Sequence, residues 1–142
     1  MVGSGRPGRI LALDYGAKRI GMAVTDDMRT MVFPRPVLEN HGWEKVAVAI
    51  RDFCVAESVT LIVIGCPFDD AHVENEQTER VRSFGAKIQE VAGLPVVYED
   101  EKYTTSEAEA MLDAAGFDFR DKKMSRDGVA AMLILQSCLS RV

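Results

Sequence analysis

The sequence predicts an α/β domain built on a five-stranded mixed sheet in the order 3-2-1-4-5, with helices on its faces. Two apolar runs, Ile10-Leu11-Ala12-Leu13 and Leu61-Ile62-Val63-Ile64, are unbroken and strand-sized, as in strands buried on both faces. The first run is followed by two more strand-like segments joined by short turns of Asp, Gly and Lys, which makes an antiparallel meander. Beyond the meander, strands alternate with amphipathic helical stripes. Right-handed crossovers then place the fourth and fifth strands parallel to the first.

The meander is expected over Ile10 to Asp14, Arg19 to Thr25 and Thr30 to Leu38. Pro34 and Pro36 cannot donate ladder hydrogen bonds, so the third strand belongs at the sheet edge. Trp43, Val46, Ala47, Ile50, Phe53 and Cys54 recur with helical spacing and predict a helix with one buried face. The fourth strand closes at Gly65-Cys66-Pro67. Val81, Phe84, Ile88 and Val91 mark the next helix, which stops near Gly93, and Pro95-Val96-Val97-Tyr98 forms the fifth strand. Thr104 and Glu107 have capping-box spacing before a helix that ends at Gly116. The last helix is expected to begin near Ser125 and to bury Val129, Met132, Leu133, Gln136 and Leu139 in part, with Ala130 and Ala131 allowing close approach to the sheet.

A chain of 142 residues, 47% hydrophobic, suits one domain over residues 9–142, preceded by a flexible polar tail over residues 1–8. The net charge of -5 argues against broad, charge-driven coating of nucleic acid, although a local basic surface remains available. Cys54, Cys66 and Cys138 lie far apart, and His41 and His72 are isolated, so neither a zinc site nor a disulfide framework is expected. The tail lacks the apolar stretch of a signal peptide and no run is long enough to span a bilayer. A soluble, cytoplasmic protein with no membrane partner is expected.

In the predicted strand order, the carboxyl ends of the first, fourth and fifth strands open on one edge of the sheet, where α/β proteins commonly present ligand-binding or catalytic groups. Acidic residues gather there: Asp14, then Asp69 and Asp70, then Glu99, Asp100 and Glu101, with Asp127 added by the start of the last helix. Each has an ordinary structural explanation. Asp is common in turns, Asp127 complements a helix dipole, and Glu101 suits a solvated position before a capped helix. Basic residues flank the same region. Lys18 and Arg19 follow Asp14, and Arg120, Lys122, Lys123 and Arg126 make a basic loop before the last helix.

Four segments, Asp14-Tyr15-Gly16-Ala17-Lys18-Arg19-Ile20-Gly21-Met22-Ala23, Val63-Ile64-Gly65-Cys66-Pro67, Asp100-Glu101-Lys102-Tyr103-Thr104-Thr105 and Asp127-Gly128-Val129-Ala130-Ala131-Met132-Leu133-Ile134-Leu135-Gln136, together resemble the signature segments of the YqgF/RuvX family. The resemblance runs from about Arg9 to Leu139. It implies an RNase H-like fold and a bacterial cytoplasmic nuclease, linked to Holliday junction resolution and to 5′-end maturation of pre-16S ribosomal RNA.

It also implies catalytic roles for Asp14, Glu101 and Asp127, which would hold Mg²⁺ or Mn²⁺ with Asp100 assisting. Hard cations take oxygen ligands, and two such ions can serve the attacking and leaving oxygens of an in-line displacement. Lys18, Arg19, Lys102, Arg120, Lys122, Lys123 and Arg126 are the expected nucleic-acid contacts. Lys102-Tyr103 stands where the family commonly has Arg-Leu, and an acidic segment after Pro67 stands where it commonly has a Gly-containing stretch; Asp69 and Asp70, near the end of the fourth strand, are alternatives to Glu101. The expected partner is structured RNA or branched DNA, bound by a monomer or homodimer. Two other classes compete: a sugar-kinase or actin-like phosphate-binding hairpin at Asp14-Tyr15-Gly16, and a non-catalytic nucleic-acid or ribosome-assembly module.

Overall fold

The computed structural model describes residues 7–67, 75–100, 110, 113–116 and 126–140. Its strands are β1 (Arg9–Tyr15), β2 (Arg19–Thr25), β3 (Val32–Glu39), β4 (Val59–Cys66) and β5 (Val96–Asp100). Its described helices are α1 (Trp43–Glu57), α2 (Glu76–Ala92) and α3 (Arg126–Ser140). The strands form one sheet in the order β3-β2-β1-β4-β5, the order expected from the sequence. β1 and β3 run antiparallel to β2, while β4 runs parallel to both β1 and β5.

Strand alternation divides the core into two layers. Leu11, Leu13, Ile62 and Ile64 face α1 and α2, where they pack with Val46, Ile50, Phe84 and Ile88. Ile10, Ala12, Ala23 and Val63 face α3 and pack with Ala131, Met132, Ile134 and Leu135. The sheet is therefore covered on both sides, which explains why β1 and β4 read as continuous apolar runs.

β3 lies at the edge, as its prolines require, but it begins at Val32 rather than Thr30. Asp26 takes the two preceding residues into a turn, accepting from the Thr30 and Met31 N–H groups at 2.7 and 2.8 Å and from the Thr30 hydroxyl at 2.6 Å. Arg29 completes that turn at φ 59°. Farther along, pairing shifts between Ile20–Leu38 and Met22–Arg35, so Pro36 and Val37 together oppose Gly21. A bulge thus accommodates Pro36.

In α3, Met132 is buried and Val129, Leu133, Gln136 and Leu139 are partly buried, as expected, with Ala131 against the sheet; Ile134, Leu135 and Ser137 are buried beyond that expectation. The segment from Ala130 to Leu135 is apolar all round, so periodicity could not select a face. Of the helix expected between Thr104 and Gly116, only residues 110 and 113–116 are described. Gly116 there adopts φ 99° and donates to the Asp113 carbonyl at 3.0 Å, consistent with a helix stop. Residues 1–6 of the expected tail are outside the described residues, whereas Pro7 and Gly8 are held to the domain. The Pro7 carbonyl accepts from Thr60 Oγ1, and the Gly8 carbonyl accepts from Arg29 Nε at 2.9 Å.

Candidate active site

Asp14 is the penultimate residue of β1 and pairs with Gly21 of β2. Because Leu11 and Leu13 face α1 and α2, while Ile10 and Ala12 face α3, alternation sends the half-buried Asp14 toward the α3 side. β4 continues past the Leu13–Ile64 pair to Gly65, which is paired with Glu99 of β5. Glu99 therefore shares the face of Asp14. Gly65, between them, places no side chain in the gap, and two strand spacings of about 4.8 Å separate the two backbones. Glu99 is only 6% exposed and accepts from Ser137 Oγ of α3 at 3.3 Å.

The loop after Asp14 requires a glycine. A Cβ on Gly16 would lie 2.4 Å from the Arg19 carbonyl oxygen, a contact the backbone does not allow. Asn40, just beyond β3, fixes the same loop: its Nδ2 donates to the Gly16 carbonyl at 3.0 Å and its N–H donates to the Lys18 carbonyl at 2.9 Å. The other wall forms where β4 meets α2. Asn75 caps α2 by accepting from the Thr78 N–H at 3.0 Å, and both Asn75 Nδ2 and Thr78 Oγ1 donate to the Pro67 carbonyl, at 3.1 and 3.2 Å. Two donors thus fasten the end of β4 to the start of α2.

Between these walls lies a cleft of about 380 Å³ lined by Asp14, Tyr15, Gly16 and Ala17, by Pro67, and by Gln77, Arg80 and Val81 of α2. Lys18 and Arg19 are exposed at the β1–β2 turn beside it. Arg80 is exposed and pairs with Glu76 at 3.3 Å. The cleft therefore sets the chain at Asp14 beside cationic groups able to meet an anionic substrate, while the Asp14 side chain itself lies toward the α3 face at its edge.

The remaining expected site residues fall as follows. Asp100 ends β5 opposite Cys66, a member of the α1–α2 core, so it faces the side away from Asp14. Asp127 and Arg126 open α3, the helix that packs on Asp14's face, but their side chains lie outside the described residues. Glu101, Lys102, Arg120, Lys122 and Lys123 lie outside the described residues, as do Asp69 and Asp70. Among the described residues no three His, Cys, Asp or Glu side chains form a metal-sized group; of the expected trio only Asp14 has a described side chain.

Sequence reasoning noted Glu99 at this edge without assigning it a role, and it passed over Arg80 and Gln77. The alternation of β5 carried the signal for Glu99. The α2 residues needed the Pro67 anchor, which no local pattern reveals. Cys54 offers no alternative chemistry, because burial pushes its thiol up to about 11 and keeps it protonated.

Comparison with known proteins agrees with this architecture. A "Putative pre-16S rRNA nuclease" of Endomicrobium trichonymphae is 37% identical over 132 residues, covering 92% of this chain and 94% of that protein. A protein of the same name from Dictyoglomus turgidum is 34% identical over 131 residues, covering 92% and 93%. Thermus thermophilus RuvC, solved in complex with a Holliday junction substrate, superposes with a TM-score of 0.67 at 12% identity, over 94% of each chain. That likeness identifies the fold as RNase H-like. Residues 8–141 match the family described as "RuvX: Holliday junction resolvase", and the chain belongs to that family.

Proposed function

We propose that this protein is a divalent-metal-dependent nuclease, one domain over residues 9–142, that hydrolyses phosphodiester bonds of structured nucleic acid in the cytoplasm, with 5′-end processing of pre-16S rRNA as its main task. The observation that carries the proposal is the position of Asp14: at the carboxyl end of the central strand, lining a cleft whose other wall supplies Arg80. The names of the relatives at 34–37% identity favour pre-rRNA as substrate. The family description favours a second substrate, the four-way DNA junction.

The donor chemistry fits a hard cation. Asp14 offers carboxylate oxygen at a half-buried position, and the missing side chain at Gly65 leaves space beside it. Asp14, Glu101 and Asp127 would hold Mg²⁺ or Mn²⁺, with Glu99 nearby on Asp14's face and Asp100 behind it. Bound there, the cation supplies Lewis-acid polarisation of the scissile phosphate. The chain's own contribution is placement. Asn40 and Gly16 hold the loop that follows Asp14, while Lys18, Arg19 and Arg80 neutralise flanking phosphates, joined by Lys102, Arg120, Lys122, Lys123 and Arg126. Such a site acts in a monomer on RNA, whereas symmetric cutting of a junction requires a homodimer.

The test is cleavage by the purified protein of an RNA carrying the pre-16S 5′ end, a four-way DNA junction and a plain duplex, with Mg²⁺ and with EDTA. Metal-dependent cleavage of the RNA supports the proposal, and preferential cleavage of the junction supports the second substrate. Equal activity in EDTA, or none on any structured substrate, overturns it.

A further inference from the structure

A second cleft of about 530 Å³ adjoins the first and shares Tyr15 and Arg80 with it. Its lining also includes Trp43 at the start of α1 and Lys87 on α2, together with Asn40 and Ser83. Trp43 is 42% exposed, although an indole is among the side chains with most to gain from burial. Lys87 Nζ lies 4.8 Å over its ring centroid. Nothing in the catalytic proposal uses either residue.

The charges lining this cleft nearly cancel, since Glu76 and Glu79 oppose Arg80 and Lys87. A neutral trough grips a phosphate backbone poorly. An exposed indole beside a cation on a long, rotatable side chain suits a nucleobase, because bases stack on aromatic rings whatever their identity, and the cation is then available to the adjoining phosphate. A paired base has its faces occupied by its neighbours, so the cleft selects an unpaired nucleotide.

Resting on the nuclease function proposed above, we propose that Trp43 and Lys87 form a subsite for an unpaired nucleotide flanking the scissile phosphate: the base stacks on Trp43, Lys87 moves from the indole to the next phosphate, and Tyr15 and Arg80 lead the strand into the cleft at Asp14. The substrate class this defines is a single-stranded segment adjoining structured nucleic acid.

Trp43 is the single tryptophan of the chain, so its fluorescence reports the subsite directly. The full chain carrying Asp14→Asn, to suppress cleavage, is titrated with oligouridine and with a blunt duplex of equal length, while anisotropy of a labelled strand measures binding independently. Saturable quenching by oligouridine, with little change on adding duplex, is expected. Trp43→Ala should weaken oligouridine binding about tenfold or more. Lys87→Gln, which keeps the fluorophore, should lower the salt slope of log K by about one. Unchanged fluorescence at saturating oligouridine, no binding of oligouridine, or an unaltered salt slope in Lys87→Gln overturns the subsite. Quenching, together with a wild-type protein that cleaves nothing, supports the subsite while overturning the nuclease proposal. Cleavage by a wild-type protein with unresponsive Trp43 does the reverse.

Discussion

Asn40 and Gly16, far apart in sequence, are joined by a 3.0 Å hydrogen bond from the Asn40 amide to the Gly16 carbonyl, and a second bond runs from the Asn40 N–H to Lys18. The end of β3 thereby sets the conformation of the loop leaving Asp14. Asn40→Ala removes the side-chain bond, worth about 1 kcal/mol to stability, and keeps the backbone one. Activity should fall further than that, about tenfold, because small displacements at a reacting centre are amplified. Parallel thermal unfolding and cleavage assays check this; an activity loss no larger than the stability loss contradicts it.

Gly16 itself admits no side chain. Gly16→Ala sets a Cβ against the Arg19 carbonyl, so the turn has to shift, at a cost of about 1–3 kcal/mol, with loss of most cleavage activity. Denaturant unfolding together with a cleavage assay measures both effects.

Asp26 predicts an acid-sensitive hairpin. Burial, the largest single influence, raises its carboxyl, but the hydrogen bonds from Thr30 and Met31 together outweigh it and leave it below its ordinary value of 3.8. A carboxyl lowered in the folded state contributes its stability above the unfolded value and loses it as pH falls through the folded one. Asp26→Asn should therefore be less stable than wild type at neutral pH, and the two should converge in acid. Stability measured against pH for both proteins checks this; a difference that persists in acid contradicts it.

Glu57 ends α1, where a negative charge opposes the helix dipole, yet it pairs with Arg35 and, at 3.5 Å, with Arg9. These pairs tie α1 to β1 and β3. Glu57→Gln should cost about 1 kcal/mol, allowing for partial solvent screening, and leave cleavage unaltered because the pairs lie away from the Asp14 cleft. Chemical denaturation gives the first value and the cleavage assay the second.

The sheet was legible because its signals are local and redundant. Two doubly buried strands announced themselves as apolar runs, and Pro34 and Pro36 named the edge. The Thr30 boundary was missed because an Asp side chain captured the next residues for a turn, a competition that β-propensity does not register. Asp14 stood out at a strand end, whereas Glu99 and Arg80 depend on strand register and on the anchoring of α2 at Pro67. The alternation of β5 gives the face of Glu99 once the register is known, whereas the placement of Arg80 is tertiary and no spacing within the chain encodes it.

The most direct measurement compares cleavage of the pre-16S 5′-end RNA by wild type and Asp14→Asn, at equal folded fraction and with Mg²⁺ present. Loss of a cation ligand worth several kcal/mol in the transition state predicts a fall of about 10³-fold with RNA binding retained. Cleavage by Asp14→Asn at the wild-type rate would contradict the placement of the reaction at the end of β1.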